Sequence, residues 1–290
     1  MKTYYKMPIS RERLDKIKIL AFDMDDTLLD ARGKLSEGNR AALERAMEKG
    51  CHVVIASGRV WSALPKDVLA VPGIQYAITS NGARIRDVHA GRVLYEDLLG
   101  EEAVEACYPW MRDPEVMLEI FYDDEVYADR WCMEHLEQFG RVTPKAQEYV
   151  LTTRIPVDDL WERIEANKAR IENINLIFGN DDKRRQYLRE IKERVPQVTA
   201  VSSTPVNIEL GGRTTSKAHA LDVLADMLGC SKANIMAFGD STNDEQMLQH
   251  AGIGVAVGNA VPELLDLADY IAPTHDDDGV AYALEKLLGI

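Results

Sequence analysis

Ile17-Lys18-Ile19-Leu20-Ala21-Phe22-Asp23-Met24-Asp25-Asp26-Thr27 runs from an almost unbroken apolar stretch straight into three carboxylates. Such a run reads as a strand covered on both faces, the usual state in a parallel sheet. Ligands of open α/β sheets bind just beyond the carboxyl ends of these strands, where Asp23 and Asp25 fall. Side chains alternate along an extended backbone, so Asp23 and Asp25 start on one side and Met24 on the other. Two carboxylates so placed repel unless a cation lies between them, and hard oxygen donors suit Mg²⁺. The same carboxylates would also serve as N-caps of the following turn, so this segment alone leaves both readings open.

Working outward, Ser36 opens a helical stretch through Ala41, Leu43, Ala46 and Met47 that Gly50 is placed to end. His52–Ala56 is a second buried-type strand leading into Ser57-Gly58-Arg59, and Tyr76–Thr79 a third leading into Ser80-Asn81-Gly82. Strand, helix, strand in this order predicts parallel pairing through right-handed crossovers. From about Ile85 to about Val198 the strands are less uniformly apolar, as in an antiparallel sheet, with helices at 101–111 and 181–194. From Val206 the first style returns, with a helix from Lys217, a strand at 234–238, a helix from Asn243, a short strand at 252–257 and a closing helix from Asp278. The predicted organisation is a discontinuous core, 1–84 with 199–290, carrying an inserted domain over 85–198.

A second acidic group, Gly239-Asp240-Ser241-Thr242-Asn243-Asp244, again follows a strand directly. With parallel neighbouring strands, Asp240 lies at the same sheet edge as Asp23 and Asp25, where so many carboxylates need a divalent cation. Asn243 and Asp244 also make a good helix start. Ser57 can offer a hydroxyl and backbone donors to an anion, though an ordinary turn would use it as well. Lys217 opens its helix against the macrodipole, which asks for an anionic partner.

At 290 residues the chain fits two domains, or one with a large insertion. Its formal charge of −14 argues against nucleic acid as a partner, and Lys183-Arg184-Arg185 reads as a solvated helix face. No stretch approaches the roughly 18 apolar residues of a membrane span, and Met1–Lys6 lacks a signal peptide's apolar centre. A cytoplasmic location is expected. Cys51, Cys107, Cys132 and Cys230 are far apart, which suggests neither a disulfide framework nor a metal site.

In sum these motifs resemble the haloacid dehalogenase-like phosphohydrolase superfamily: Asp23-Met24-Asp25-Asp26-Thr27, then Ser57-Gly58-Arg59, Lys217, and Gly239–Asp244 stand in its order. Ser80–Ala83 and Gly254–Ala260 resemble the Cof-type subgroup, whose large cap is inserted between the second and third motifs. The resemblance implies a Rossmann-like α/β core with an inserted α+β cap that selects substrate. It further implies that Asp23 is a nucleophile forming an aspartyl-phosphate and Asp25 the general acid and base. Mg²⁺ would be held by the Asp23 carboxylate, the Asp25 carbonyl and Asp240, with Asp244 close by. Thr27, Ser57, Gly58 and Lys217 would hold the phosphoryl group, and Asn243 would orient Lys217 or the phosphate. Arg59, Asn81, Gly82 and Asn259 border the expected opening as possible substrate contacts. Asp26 departs from the subgroup's usual Gly, and Ser57 and Ser241 are further departures that remove no required chemical group. His219, where Gly is frequent, is expected to be a helix surface position. Arg130, Trp131, Arg154 and Arg184 are cap candidates that the sequence does not rank.

The expected activity is a Mg²⁺-dependent phosphatase for small phosphorylated metabolites, sugar phosphates or similar monoesters foremost. A phosphotransferase resembling the phosphomannomutase branch is the alternative. A phospho-ligand sensor would have no need of both Asp23 and Asp25.

Overall fold

The computed structural model describes residues 8–290, so Met1–Lys6, read above as no signal peptide, lies outside the described residues. The strands, in chain order, are β1 (Ile19–Phe22), β2 (His52–Ala56), β3 (Tyr76–Thr79), β4 (Arg84–Asp87), β5 (Val93–Glu96), β6 (Val116–Tyr122), β7 (Glu125–Asp129) and β8 (Ile155–Val157). They continue with β9 (Asn173–Phe178), β10 (Val198–Val201), β11 (Asn207–Gly212), β12 (Ile235–Gly239), β13 (Ile253–Ala256) and β14 (Tyr270–Ile271). They form an eight-stranded sheet ordered β14-β13-β12-β1-β2-β3-β4-β5 and a six-stranded sheet ordered β10-β11-β9-β6-β7-β8.

The first sheet is parallel from β14 to β3 and turns antiparallel at β4. Every residue of β1 is buried, as its apolar run demands. Phe22 faces Phe238 in register, and their rings stack at 4.7 Å. The two strands therefore end level, and Asp23 and Asp240 leave neighbouring strands almost side by side.

The helix Glu37–Glu48 starts where its cap was read: Ser36 Oγ accepts from Asn39 N at 3.1 Å. Buried Asn39 donates to Leu28 O at 3.0 Å and accepts from Ala281 N at 3.0 Å, tying the acidic turn to the closing helix Gly279–Leu288. The expected helix over 101–111 is two short ones, Glu101–Ala106 and Tyr108–Met111, with Pro109 in the first turn of the second.

The chain splits into two compact units: one takes the chain up to Gly58 with Leu64–Tyr95 and Ser216–Ile290, the other Arg59–Ala63 and Glu96–Thr215. These limits differ from the expected 85 and 198. β4 and β5 extend the first sheet, and β10 and β11 pair into the second, so both sequence limits cut through hydrogen-bonded ladders.

In the second unit, Val116, Leu118, Ile120, Ile174, Leu176, Ile208 and Leu210 turn one sheet face toward an apolar core shared with Val104, Ile164 and Ile191. Among the described residues no helix is long and apolar enough to cross a membrane. All four cysteines are free thiols.

Candidate active site

β1 delivers Asp23 and then stops, because the chain turns sharply over Met24–Leu28. Asp23 N still donates to Phe238 O at 3.0 Å, which holds its carboxylate at the sheet edge, 7% exposed. Asp25 keeps an extended backbone and is exposed, whereas Asp26 sits in the left-handed region at φ 57°. That region favours Gly and tolerates Asp better than most residues, which accounts for both the family's Gly and its replacement.

The turn is braced from the far side. Asn259 Nδ2 donates to Asp26 O at 2.7 Å, Asn259 Oδ1 accepts from His275 N at 3.0 Å, and His275 Nδ1 lies 3.0 Å from Leu29 O. The carbonyl can only accept, so His275 Nδ1 carries the proton. Asn259, placed among the substrate contacts by sequence, has both ends of its amide committed to the turn. His275 escaped notice there, since an isolated His in an acidic loop carries no periodic or motif signal.

Lys217, at the first turn of the helix Lys217–Met227, is 1% exposed. Its Nζ donates to Asp23 Oδ1 at 2.6 Å and to Asp244 Oδ1 at 2.7 Å. These are the anionic partners its position against the dipole required. Burial opposes the charged ammonium, but Asp23 and Asp244 outweigh it and raise the lysine's pKa above its ordinary value. Asp244 Oδ2 accepts from Asp240 N at 3.1 Å and Ser241 N at 3.2 Å, so this fully buried carboxylate anchors both Lys217 and its own loop. Gly239 makes that possible: a Cβ there would lie 2.5 Å from Asp244 Cβ.

Thr27, wholly buried, donates to Asp240 Oδ1 at 2.9 Å. Burial, then the Asp244 charge, lifts Asp240 to about 7. Burial likewise raises Asp23 well above the usual carboxylate range, with Asp244, Asp240 and Asp25 adding to the shift and Lys217 opposing it. The group is thus over-rich in negative charge for one lysine. Oxygens of Asp23, Asp240 and Asp244 lie within 4.8 Å of one another, an all-oxygen donor set of the kind hard divalent cations take. The Asp25 side chain stands outside that trio.

The loops after β2 and β3 close the edge. Buried Ser57 donates its N–H to Ile78 O at 2.9 Å and accepts from Asn81 N at 3.1 Å. Gly58 packs against the Asn81 amide, where a Cβ would meet Oδ1 at 3.1 Å. Ser80, Asn81 and Gly82 all have positive φ. At Gly82 a Cβ would fall 2.2 Å from Ser216 O, so this glycine lets the Lys217 helix start lie against the turn. Asn243 Nδ2 donates to Asn81 Oδ1 at 3.1 Å, and its Oδ1 accepts from Ser241 Oγ at 2.6 Å. Asp244, rather than Asn243, orients Lys217. Arg59 belongs to the second unit, where it donates to Ala63 O at 3.0 Å and lies over the Tyr149 ring.

Among the cap candidates Arg154 alone is buried; Arg130 pairs with Asp158 at 2.6 Å and Arg184 bonds Asp181 and Ser202. Trp131 is 52% exposed and stacks on His135. The Lys183–Arg185 face is spent on Asp113, Glu115 and Asp181. His219 sits edge-on to Tyr95 at 6.1 Å, half-buried.

Residues 20–284 match the haloacid dehalogenase-like hydrolase family. Phosphatase YwpJ of Bacillus subtilis is 30% identical over 291 residues, covering 94% of this chain and 100% of that protein. The 5-amino-6-(5-phospho-D-ribitylamino)uracil phosphatase YcsE of the same organism is 31% identical over 282 residues, with 96% and 98% covered. A solved haloacid dehalogenase-like hydrolase from B. subtilis superposes with a TM-score of 0.80 at 29% identity, over 93% of this chain and 99% of its own. With the acidic edge, the buried lysine and near full-length likeness to named phosphatases, the chain belongs to the haloacid dehalogenase-like hydrolases, in their Cof-type subgroup, and is a phosphoric monoester hydrolase.

Proposed function

We propose that this hydrolase is a Mg²⁺-dependent phosphatase of small phosphorylated metabolites, working through an aspartyl-phosphate on Asp23. The observation that carries the reading is the pairing of buried Asp23 with Lys217 at 2.6 Å, while Asp25, two residues on, is exposed.

An Asp23 oxygen attacks phosphorus and the bond to the ester oxygen breaks. The Asp25 carboxyl gives its proton to that oxygen, releasing the alcohol. Asp25, now a carboxylate, takes a proton from water as the water oxygen attacks phosphorus, which frees inorganic phosphate and restores Asp23. Lys217 offsets charge on Asp23 and on the phosphoryl oxygens, with Thr27, Ser57 and the Gly58 backbone as further donors. Asn243 holds Asn81 beside Ser57 and acts by positioning.

Mg²⁺ would be held by the Asp23 and Asp240 carboxylates, with the Asp25 carbonyl as a further donor and Asp244 committed to Lys217, and when bound it would supply the positive charge that lets one anion approach another. The second unit is proposed as the cap that chooses substrate. YcsE is named for a phosphomonoester on a ribityl chain, which supports a hydroxylated metabolite as substrate class.

The test is phosphate release from a panel of phosphorylated metabolites, with and without Mg²⁺, in wild type, Asp23→Asn and Asp25→Asn. Loss of at least about a thousandfold is expected in Asp23→Asn. Undiminished release in that variant refutes the covalent route, and movement of phosphate only between sugars would favour a mutase.

A further inference from the structure

Ser57 and Gly58 belong to the first unit, Arg59–Ala63 to the second, and Leu64 to the first again. Each of these two crossings takes a single peptide bond, and consecutive Cα atoms lie only about 3.8 Å apart. The five-residue strap between them therefore has no slack at either end.

Its upstream end is the turn proposed to hold the phosphoryl group. Ser57 is 1% exposed, its N–H donates to Ile78 O, and its carbonyl accepts from Asn81 N. Gly58 packs directly on the Asn81 amide. Downstream, Leu64 is buried and Pro65 leads into the helix Lys66–Leu69.

Between these ends the strap is seated on the hairpin of β6 and β7. Val60 is wholly buried and Ala63 nearly so, in one apolar cluster with Phe121 of β6 and Val126 of β7. Ser62 donates its N–H to Asp124 O at 3.4 Å and its hydroxyl to Glu125 Oε2 at 3.0 Å. Arg59 Nη1 closes the strap by donating to Ala63 O at 3.0 Å.

The receiving hairpin is firmly held. Tyr122 and Glu125 pair across a two-residue turn in which Asp123 and Asp124 both have positive φ, the pattern of a type I′ turn. Buried Glu172 accepts from Asp124 N at 3.1 Å, and its own N–H donates to Phe121 O at 2.8 Å. Left-handed residues other than Gly persist where their surroundings fix them in this way.

Anchors joined without slack do not move independently. If the hairpin shifts, either Val60 leaves its cluster or Ser57 and Gly58 are drawn off Asn81. We propose that Val60 and Ser62 are positioning residues for the phosphoryl-binding turn: the seating of the strap on the β6–β7 hairpin sets the geometry in which Ser57 and Gly58 receive a phosphoryl group. The link to phosphate rests on the phosphatase reading, whereas the link between hairpin and turn rests on chain continuity alone.

The test titrates inorganic phosphate, with Mg²⁺ present, into the wild-type full chain, Val60→Ala, Val126→Ala and the double variant by calorimetry. Val126 lies on β7, outside the proposed phosphoryl site, so its truncation reaches phosphate through the strap. Each single variant should bind phosphate about fivefold or more weakly, the low end of coupling between distinct sites. The double variant should bind about as weakly as the worse single one, because both changes release the same anchor. Unchanged affinity in either single variant, or losses that multiply in the double, overturns the proposal. If the wild type binds no phosphate, the phosphatase reading fails separately, and hydrogen exchange still decides. The Ser57 and Asn81 amides, both in the first unit, should then exchange about fivefold or more faster in Val60→Ala and Val126→Ala, and unchanged rates overturn the strap. Should the buried valine variants not fold, Ser62→Ala at its exposed position takes their place in both measurements, with about a twofold or larger effect supporting the proposal and none overturning it.

Discussion

Lys217 holds two buried carboxylates together, and its loss would leave Asp23 and Asp244 unpaired. Removing one partner of a buried ionic group typically costs about 3–5 kcal/mol. Lys217→Met should therefore lower the unfolding free energy by about that much in metal-free buffer near pH 7, as read from urea melts. A change under about 1 kcal/mol would show that the lysine is not the site's structural counter-ion. Asn259→Ala makes a separate test, because it removes the amide that ties Asp26 O to His275 N. Slackening the turn displaces Asp23 and Asp25 together, so kcat should fall about tenfold or more with a smaller change in KM. A fall in KM affinity alone would instead make Asn259 a substrate contact. At this scale Asp23, Asp25, Lys217 and Asp240 are legible as chemistry, since acidic groups follow two separate strands and a lysine opens its helix against the macrodipole. The work of Asn259, Asn243 and Gly82 is not, because each acts on a residue more than a hundred positions away, or on a backbone approach that has no sequence signature.

Among the elements, β6 places one carboxylate inside a sheet. Burial works against the ionised Glu119, yet the Arg154 and Arg141 charges and the Asn175 amide overcome it and set its pKa below the ordinary 4.5. A depressed carboxylate contributes stability that is complete above its unfolded pKa and fades as pH falls through its folded one. The second unit should thus lose stability in the region below pH 4.5. Glu119→Gln should be several kcal/mol less stable than wild type at pH 7, because Arg154 is left buried without its anion, and the gap should narrow toward pH 3. Parallel pH–melting curves for the two proteins would refute this. β6 is an apolar run broken only by Glu119, and nothing local in it shows that Glu119 would meet Arg154, 35 residues on.

Taken whole, the molecule carries excess negative charge at one sheet edge, and folding should be linked to cation binding. Mg²⁺ at a hundred times its dissociation constant would add about 2.7 kcal/mol to stability if it binds only the folded chain. A thermal melt should rise with Mg²⁺ in wild type and stay put in Asp240→Asn; an equal rise in both would place the cation elsewhere. Chelation should abolish phosphate release at the same time.

Local pattern determined the parallel part of the first sheet, the strand that delivers Asp23, the acidic strand end at Asp240 and the existence of an insertion, because period, capping and breaker residues act within a few positions. The insertion's limits, the Lys217–Asp244 bond, the bracing of the acidic turn by Asn259 and His275, and the polar face around Glu119 were decided by tertiary structure alone. Each depends on strand register and long-range approach, and register is settled by burial across whole sheets, not by any one segment.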